Sequence, residues 1–323
     1  MNIYSVEYIP ETQIITTSRT IGNVLSHHGD YIKGSVIRGG FLTQFKRLGY
    51  DIESESIDPK LIFHPAFPLV NGKVAEPLHP FHYSCKVCKS KETKDPFEVD
   101  LDNLADMPAV CKNGHPFVLK SEGGKIKLDD DNVSFEYITL TSVGLNKYLE
   151  NAERNMLYTY SALMPNIKFK GLIVNNGNNI LDINKINTIY IGKGISRGFG
   201  VVRVEIKDVT EEFKQDRIEK IKSVLSKKYI ILKALSPLYL SLSSIFIAGC
   251  KFVKCVKTGY SDISGYSIAG NMPKVMLKGL KEGSLIYLKH DSTIDVTNKL
   301  LEKELNGIGD FSCNGINIVK VLS

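Results

Sequence analysis

Residues 192–204 read GKGISRGFGVVRV, a glycine-rich basic loop that runs into alternating apolar residues. Its glycines tolerate positive φ and let another backbone approach closely, because they carry no Cβ. Lys193 and Arg197 add positive charge, and Ser196 adds a hydroxyl donor. Cations and amide donors on an open loop suit a polyanion such as a nucleic-acid backbone. The alternative is a tight hairpin whose charge is incidental.

The segments on either side of this loop separate it from other glycine-rich loops. Residues 188–191 and 201–206 both have the pattern of strands, whereas a dinucleotide fingerprint or a Walker loop opens a helix after its glycines. RGFGVV overlaps the pattern of the RNA-recognition motif, but Val201 and Val204 stand where that motif has aromatic rings. The sequence therefore predicts a hairpin loop that binds anions without stacking bases.

Composition bounds the class of protein. The chain has 323 residues, 43% of them hydrophobic and 24% charged, and a net charge of +6. This length is enough for two ordinary domains, and the charge permits a nucleic-acid partner without requiring one. The first residues lack the basic and apolar regions of a signal peptide, and the most apolar window, 234–250, reads better as strands. We expect a cytoplasmic protein with no membrane contact.

Four residues have the spacing of a metal site. Cys85 and Cys88 form one pair, and Cys111 and His115 form another 22 residues further on. Two such pairs are typical of a tetrahedral zinc site, and four protein ligands leave no open position, so we predict structural Zn²⁺. Two unconnected cysteine pairs are the alternative, and His82 is an alternative ligand. Cysteines 250, 255 and 313 read as ordinary thiols, with a disulfide between the first two left open.

A second basic element lies near the start of the chain. Apolar spacing predicts a helix over 35–48, preceded by Lys33 and Gly34 and carrying Ser35 and Arg38 in its first turn. A helix start with free amides, a serine and two cations suits an anion. The alternative is a plain N-cap by Ser35 beside a solvated Arg38.

The order of elements resembles a duplication. A strand over 3–17, the helix and the glycine loop make up the first half, and a charged helical connector follows at 209–228. A strand pattern then restarts at 229, and a second glycine element, 307–315, precedes the last strand. This second element carries Asp310 and no base, so it is read as a structural turn.

Five segments, taken in order, resemble the RAMP superfamily of CRISPR effector subunits. They are DYIKGSVIRGGF (30–41), IFHPAFPLVNGKVAEPLHPF (62–81), NMLYTYSALMPNIKFKGLI (155–173), GKGISRGFG (192–200) and ISGYSIAGNMPKVMLKGLKEGSLIYL (263–288). The last is similar to the Cas-five-like branch found in type III-D complexes. Lys33 stands where the pattern has proline, and Tyr266 where it has tryptophan.

The resemblance implies an α+β fold of tandem ferredoxin-like (RRM-like) domains, at 1–208 with a zinc-binding insertion at about 82–120, and at 229–323. It also implies a subunit that grips the 5′ handle of the CRISPR RNA and contacts the large polymerase-like subunit and the backbone RAMP subunits. The RNA-binding residues that it transfers are Lys33, Gly34, Ser35, Arg38, Lys193, Gly194, Ser196, Arg197, Gly198 and Phe199, with Arg19 as a weaker candidate.

Catalysis is the remaining question, because some RAMP proteins cut RNA. His27 and His28 could act as general base, but no nearby proton donor accompanies them in the sequence. Asp30 lies too close to the YIKG element to match the cleaving aspartate of the backbone subunits. We therefore expect a non-catalytic subunit. A processing endoribonuclease and a zinc-stapled protein-interaction module without RNA contact are the alternatives.

Overall fold

In a computed structural model, the chain is described at residues 1–21, 24–27, 30–102, 110–116, 118–128, 131–146, 148, 152–178, 180–239, 247–267, 272–291, 294–309 and 311–323. The elements of its first part are β1 (Asn2–Pro10), β2 (Thr17–Ile21), β3 (Val24–His27), α1 (Gly34–Arg47), α2 (Glu53–Ile57), β4 (Leu61–Phe63), β5 (Phe67–Val70), β6 (Lys73–Val74), β7 (Glu76–Pro77), β8 (His82–Cys85), β9 (Lys91–Thr93), β10 (Leu119–Ser121), β11 (Ile126–Leu128) and β12 (Asp131–Asn132).

The remaining elements are β13 (Tyr137–Leu145), β14 (Ala152–Leu163), β15 (Lys168–Asn175), β16 (Thr188–Tyr190), β17 (Val201–Asp208), α3 (Thr210–Val224), β18 (Ile230–Ala234), β19 (Cys250–Val256), β20 (Tyr260–Ile263), β21 (Tyr266–Ser267), β22 (Met272–Pro273), β23 (Leu277–Leu280), β24 (Leu285–His290), α4 (Thr297–Asn306) and β25 (Val319–Val321). Mostly antiparallel sheets with few helices confirm the α+β class.

The first large sheet has the order β16-β17-β1-β15-β5-β6, and β4 also pairs with β15. Its pairings are antiparallel. Side chains alternate across the central strand β1, so Tyr4, Val6 and Tyr8 enter the core beneath α1, while Ile3 enters a second core on the opposite face. The sheet is therefore covered on both sides, and the glycine loop joins β16, at its edge, to the neighbouring β17.

The helix α1 packs on this sheet through Ile37, Phe41 and Phe45, which recur every four residues along one face and are fully buried. Gly40 is a point of close approach, because a Cβ there would lie 2.9 Å from the Cγ2 of Ile191. The helix begins at Gly34, one residue before the predicted start, and Lys33 occupies the N-cap position.

The second sheet has the order β19-β24-β18-β25, and it is also antiparallel. Numbered by their order in the chain, its strands lie 2-3-1-4 across the sheet, and its first strand, β18, lies between the third and the fourth. α3 and α4 pack together beside this sheet. Their contact includes a buried ion pair, in which Arg217 Nε lies 2.8 Å from Glu304 Oε1. The predicted connector 209–228 is thus part of a core, because Ile221 and Val224 are buried in it.

The segment between the cysteine pairs packs on the other face of the second sheet. β8, β9 and β10 form a small sheet that presents Phe81, Tyr83 and Leu119 to Ile231 and Tyr287. The Tyr287 hydroxyl donates to the carbonyl of Pro96 at 2.9 Å, and the Lys254 ammonium donates to that of Leu101 at 2.6 Å. A segment inserted in the first half of the sequence therefore covers the second sheet.

A long hairpin completes the fold. β13 and β14 pair over most of their length, and β3 adds to β14 in parallel, with β2 beyond it. The sequence did not predict β14. Among the described residues, no helix is both long and apolar enough to span a membrane.

Candidate nucleic-acid interface and metal centre

The glycine loop is held in a shape that only glycine readily adopts. Gly192, Gly194, Gly198 and Gly200 all have φ between +75° and +87°. Two of them also contact backbone: a Cβ at Gly200 would lie 1.9 Å from the carbonyl oxygen of Ile191, and one at Gly192 would lie 2.4 Å from that of Ile15. The glycines are therefore required by the turn itself and by its packing on residues 13–15.

Four amides of the loop serve its own folding. Lys193 N–H donates to Ile15 at 2.8 Å, Gly200 N–H donates to Gln13 at 2.8 Å, and Arg197 N–H donates to Gly194 at 2.8 Å. The amide of Phe199 also donates to Gly194. These four donors are not available to an anion, whereas the side chains of Lys193 and Arg197 are exposed.

The polar side chains of the loop point into solvent. Lys193, Ser196 and Arg197 are exposed, on or next to the short 3₁₀ turn Ile195–Arg197. The guanidinium carbon of Arg197 lies 5.4 Å from the ring centroid of Tyr160 on β14, which is a cation–π contact. The loop and Tyr160 of the long hairpin thus form one surface with two cations and a half-buried ring.

Sequence reasoning did not include Tyr160 in this surface. The only indication in the sequence is that Tyr158 and Tyr160 are two residues apart, a spacing that is typical of a strand with both rings on one face. Only the fold brings β14 beside the glycine loop.

The start of α1 is closely packed. A Cβ on Gly34 would lie 2.1 Å from the carbonyl oxygen of Phe63 and 2.7 Å from the Cα of Gly315. Gly34 is thus a point where the second glycine element, 307–315, meets the first helix. Ser35 lies inside the first helical turn and is not the N-cap.

The two candidate cations at the start of α1, Lys33 and Arg38, are engaged elsewhere in the fold. Burial lowers the pKa of the Lys33 ammonium, and the carboxylate of Glu282 opposes this effect, so Lys33 faces the second half of the chain. Arg38 donates from Nη2 to the carbonyl of Glu55 at 2.9 Å. Arg38 lies about 160° around the helix from Gly40, the residue that faces β16, at about 100° per residue. The RNA-binding roles of Lys33, Gly34, Ser35 and Arg38 stay predictions.

The remaining candidates of the first half lie on or near β2 and β3. Arg19 is in β2, opposite Ser26 of β3, and His27 ends β3. The side chains of Arg19 and His27 lie outside the described part of the chain, as do His28 and Asp310 altogether. The RNA-binding role of Arg19 stays a prediction.

The four predicted metal ligands come together. The ligand atoms of Cys85, Cys88, Cys111 and His115 all lie within 4.8 Å of one another. The Sγ atoms of Cys88 and Cys111 are 3.8 Å apart, and His115 Nδ1 lies 3.9 Å from Cys85 Sγ and 3.3 Å from Cys111 Sγ. Thiolates about 2.3 Å from a tetrahedral ion are about 3.8 Å apart, so the cluster has the dimensions of a metal site.

Backbone turns hold both pairs in place. Cys85 N–H donates to Ser90 and Lys89 N–H to Cys85, while Gly114, at φ +81°, donates to Cys111. Hydrogen bonds from Ser90 lower the pKa of Cys88 to about 5, and the hydrogen bond that protonated His115 donates to Cys111 raises the pKa of His115. Cys88 therefore already favours the thiolate, the form that binds metal, whereas burial raises the pKa of Cys85.

The other cysteines and His82 take no part. His82 Nδ1 lies 2.9 Å from the Thr93 hydroxyl. Cys250 and Cys255 are free thiols. They lie five residues apart on one strand, at about 3.3 Å per residue, which is too far for a disulfide.

Comparison with solved structures identifies chains that share the fold of this protein. No family model and no curated protein matches the sequence. A chain of the type III-B Cmr-beta complex bound to cognate target RNA and AMPPnP is similar, with a TM-score of 0.51, 15% identity and coverage of 88% of this chain and 86% of that one. A second Cmr-beta structure, bound to cognate target RNA, has the same TM-score and 17% identity over 88% and 86% of the two chains.

A structure of the Csm3-Csm4 subcomplex of a type III-A interference complex matches with a TM-score of 0.41 and 15% identity, over 89% of this chain and 93% of that one. The Cmr-beta similarity shows that this chain shares its fold with a chain of a type III CRISPR complex.

Proposed function

We propose that this chain is a non-catalytic, RNA-binding RAMP protein. Its particular role would be that of the Cas-five-like subunit of a type III effector complex. In that role it grips the 5′ handle of the CRISPR RNA and packs against the large polymerase-like subunit and the backbone RAMP subunits. The observation that carries the proposal is the exposed basic surface of Lys193, Ser196 and Arg197 on the glycine loop. This loop belongs to a chain that shares its fold with a chain of the Cmr-beta complex.

Charge and geometry support an RNA partner. The net charge is +6, and the two loop cations are exposed on a turn in which the amides of Lys193, Arg197, Phe199 and Gly200 are already bonded. Side-chain cations that contact phosphates position a strand without reading its sequence. Tyr160, held under Arg197, adds an aromatic face at the same place.

The architecture supports a tandem arrangement. Each half of the chain builds one large antiparallel sheet, the first with α1 between its strands β1 and β4 and the second with α4 between β24 and β25. We propose two ferredoxin-like units that share a core, with Zn²⁺ in the Cys₃His cluster holding the inserted segment against the second sheet.

Filter binding across a salt series tests the RNA-binding role. The wild-type chain should retain a handle-bearing RNA better than a scrambled RNA and leave it uncut. Each phosphate contact on a single strand contributes about 0.7 to the slope of log affinity against log salt, so Lys193→Ala/Arg197→Ala should reduce that slope by about 1.4. Raising salt about fourfold should thus weaken wild-type binding about sevenfold more than binding of the variant.

A matched variant controls for net charge. Lys251 and Lys289 are exposed cross-strand neighbours on β19 and β24, so Lys251→Ala/Lys289→Ala removes the same charge from another surface. It should leave the salt slope unchanged. Equal slopes for all three proteins would contradict the role of the loop, and a cleaved RNA product would favour the endoribonuclease.

A further inference from the structure

A cleft lies in the second half of the chain, apart from the glycine loop. Its volume is about 550 Å³, within the usual range for small-ligand sites, and it is lined by Leu238, Tyr239, Tyr260, Lys278, Gly279 and Leu280. Tyr239 is 42% exposed and Tyr260 64% exposed. Because these two phenol rings and the lysine are accessible to solvent, they can contact a ligand in the cleft.

The floor of the cleft is hydrogen-bonded backbone with no side chain at Gly279. Leu238 and Leu280 exchange two backbone hydrogen bonds of 2.9 and 2.8 Å. Gly279 lies beside this bridge, and a Cβ there would come within 2.6 Å of the carbonyl oxygen of Leu238. The absence of a side chain at Gly279 therefore lets the backbone form a closely packed floor.

Tyr239 is fixed from behind by Asn317, which follows the second glycine element. The buried Asn317, at φ +61°, accepts a hydrogen bond from the amide of Tyr239 at 2.6 Å and donates to its carbonyl at 3.0 Å. The ring of Phe311 meets the ring of Tyr239 edge-on, with centroids 6.2 Å apart. The backbone of Tyr239 is clamped on both sides, while its ring stays accessible.

The opposite wall is the two-stranded ribbon of β20 and β23. Tyr260 pairs with Leu280, and Asp262 pairs with Lys278, so these four side chains share one face of the ribbon. The ammonium of Lys257 donates to the Tyr260 hydroxyl at 3.0 Å and lies 4.6 Å from the centroid of its ring. The wall thus combines one oriented ring with two cations and one carboxylate.

We propose that this cleft binds an unstacked nucleobase of single-stranded RNA, as a second contact apart from the glycine loop. The base stacks on the Tyr260 or Tyr239 ring, and Lys257 and Lys278 attract the adjoining phosphates. A mixed charge of two lysines and Asp262 favours a base with one or two phosphates over a dense polyanion, and stacking on aromatic rings is the common way to hold single strands. The inference rests on the proposed RNA-binding function.

The lack of tryptophan in the chain provides a direct test. Tyr260→Trp introduces a single indole at an exposed position, where the larger ring fits without displacing the core. An oligoadenylate of about eight nucleotides, within the site size of single-strand binders, should quench its emission by about half or more at saturation. An abasic ribose-phosphate oligomer of the same length should leave the emission unchanged. Tyr148→Trp, at a 96% exposed turn position, is the matched reporter and should respond to neither oligomer.

Two further measurements separate this inference from the proposed function. In one outcome, RNA retention depends on Lys193 and Arg197, but oligoadenylate does not change the indole emission of the Tyr260→Trp variant. This outcome overturns base binding in the cleft and supports the proposed function. Quenching that persists when those two cations are replaced, with retention also unchanged, supports the cleft and refutes the glycine loop. Equal quenching by the abasic oligomer overturns base stacking, and no retention with no quenching overturns both.

Discussion

A three-residue ion cluster should contribute a measurable, pH-dependent part of the stability of this chain. Glu76 on β7 accepts from the Lys233 ammonium at 2.6 Å and from that of Lys320, which lie on β18 and β25. Burial opposes ionisation of Glu76, but the two lysines outweigh it and hold the pKa at about 2, against an ordinary value of 4.5. The cluster ties the segment before the metal-binding insertion to the second sheet.

The magnitude follows from linkage. Each pKa unit is worth about 1.4 kcal/mol, so ionised Glu76 contributes at most about 3.4 kcal/mol at pH 7. Its carboxylate is 28% exposed, and screening reduces the expected loss in Glu76→Gln to about 2–3 kcal/mol. Because the folded pKa is depressed, this contribution is complete above about pH 4.5 and is lost as pH falls towards about 2, leaving about 1 kcal/mol at pH 3 after the same screening.

Urea denaturation of the wild type and of Glu76→Gln at pH 7 and pH 3 measures this contribution as a difference between the two proteins. Glu76→Gln/Lys233→Met is the control, since it removes the lysine that the single substitution leaves buried and should recover part of the stability. An equal difference at both pH values would refute the electrostatic explanation, and so would no difference at either.

Two other predictions follow from the site. Gly198→Ala should lower the free energy of unfolding by about 1–2 kcal/mol through its positive φ alone, because no other part of the chain lies within 4 Å of its Cβ position. Gly200→Ala should lower it clearly more, because its Cβ would also meet the Ile191 carbonyl. Thermal unfolding of the two variants measures the difference, and equal losses would contradict the packing argument. Elemental analysis of the purified chain should find one zinc per chain. Cys111→Ala should lose the metal and lower the melting temperature, whereas Cys255→Ala should keep the metal. A wild-type chain purified without chelator and found free of zinc would contradict the site.

Some of this protein was determined by local sequence. The spacing of Cys85, Cys88, Cys111 and His115 predicted a cluster that the structure forms, because short turns fix the geometry within each pair. The apolar period of 35–48 predicted α1, and the glycines of 192–200 predicted a turn at positive φ. In each case the information lies within a few residues, where backbone sterics and ligand spacing decide the outcome.

Contacts between distant segments were decided by the tertiary structure alone. Gly34 meets Gly315, Tyr160 lies under Arg197, and Asn317 fixes Tyr239, although nothing near these residues in sequence indicates the pairing. The same is true of Arg38, whose side chain is bound to Glu55 on the flank away from β16. Helix rotation and sheet order set these contacts, and both depend on how the whole chain buries its apolar faces, which no single segment encodes.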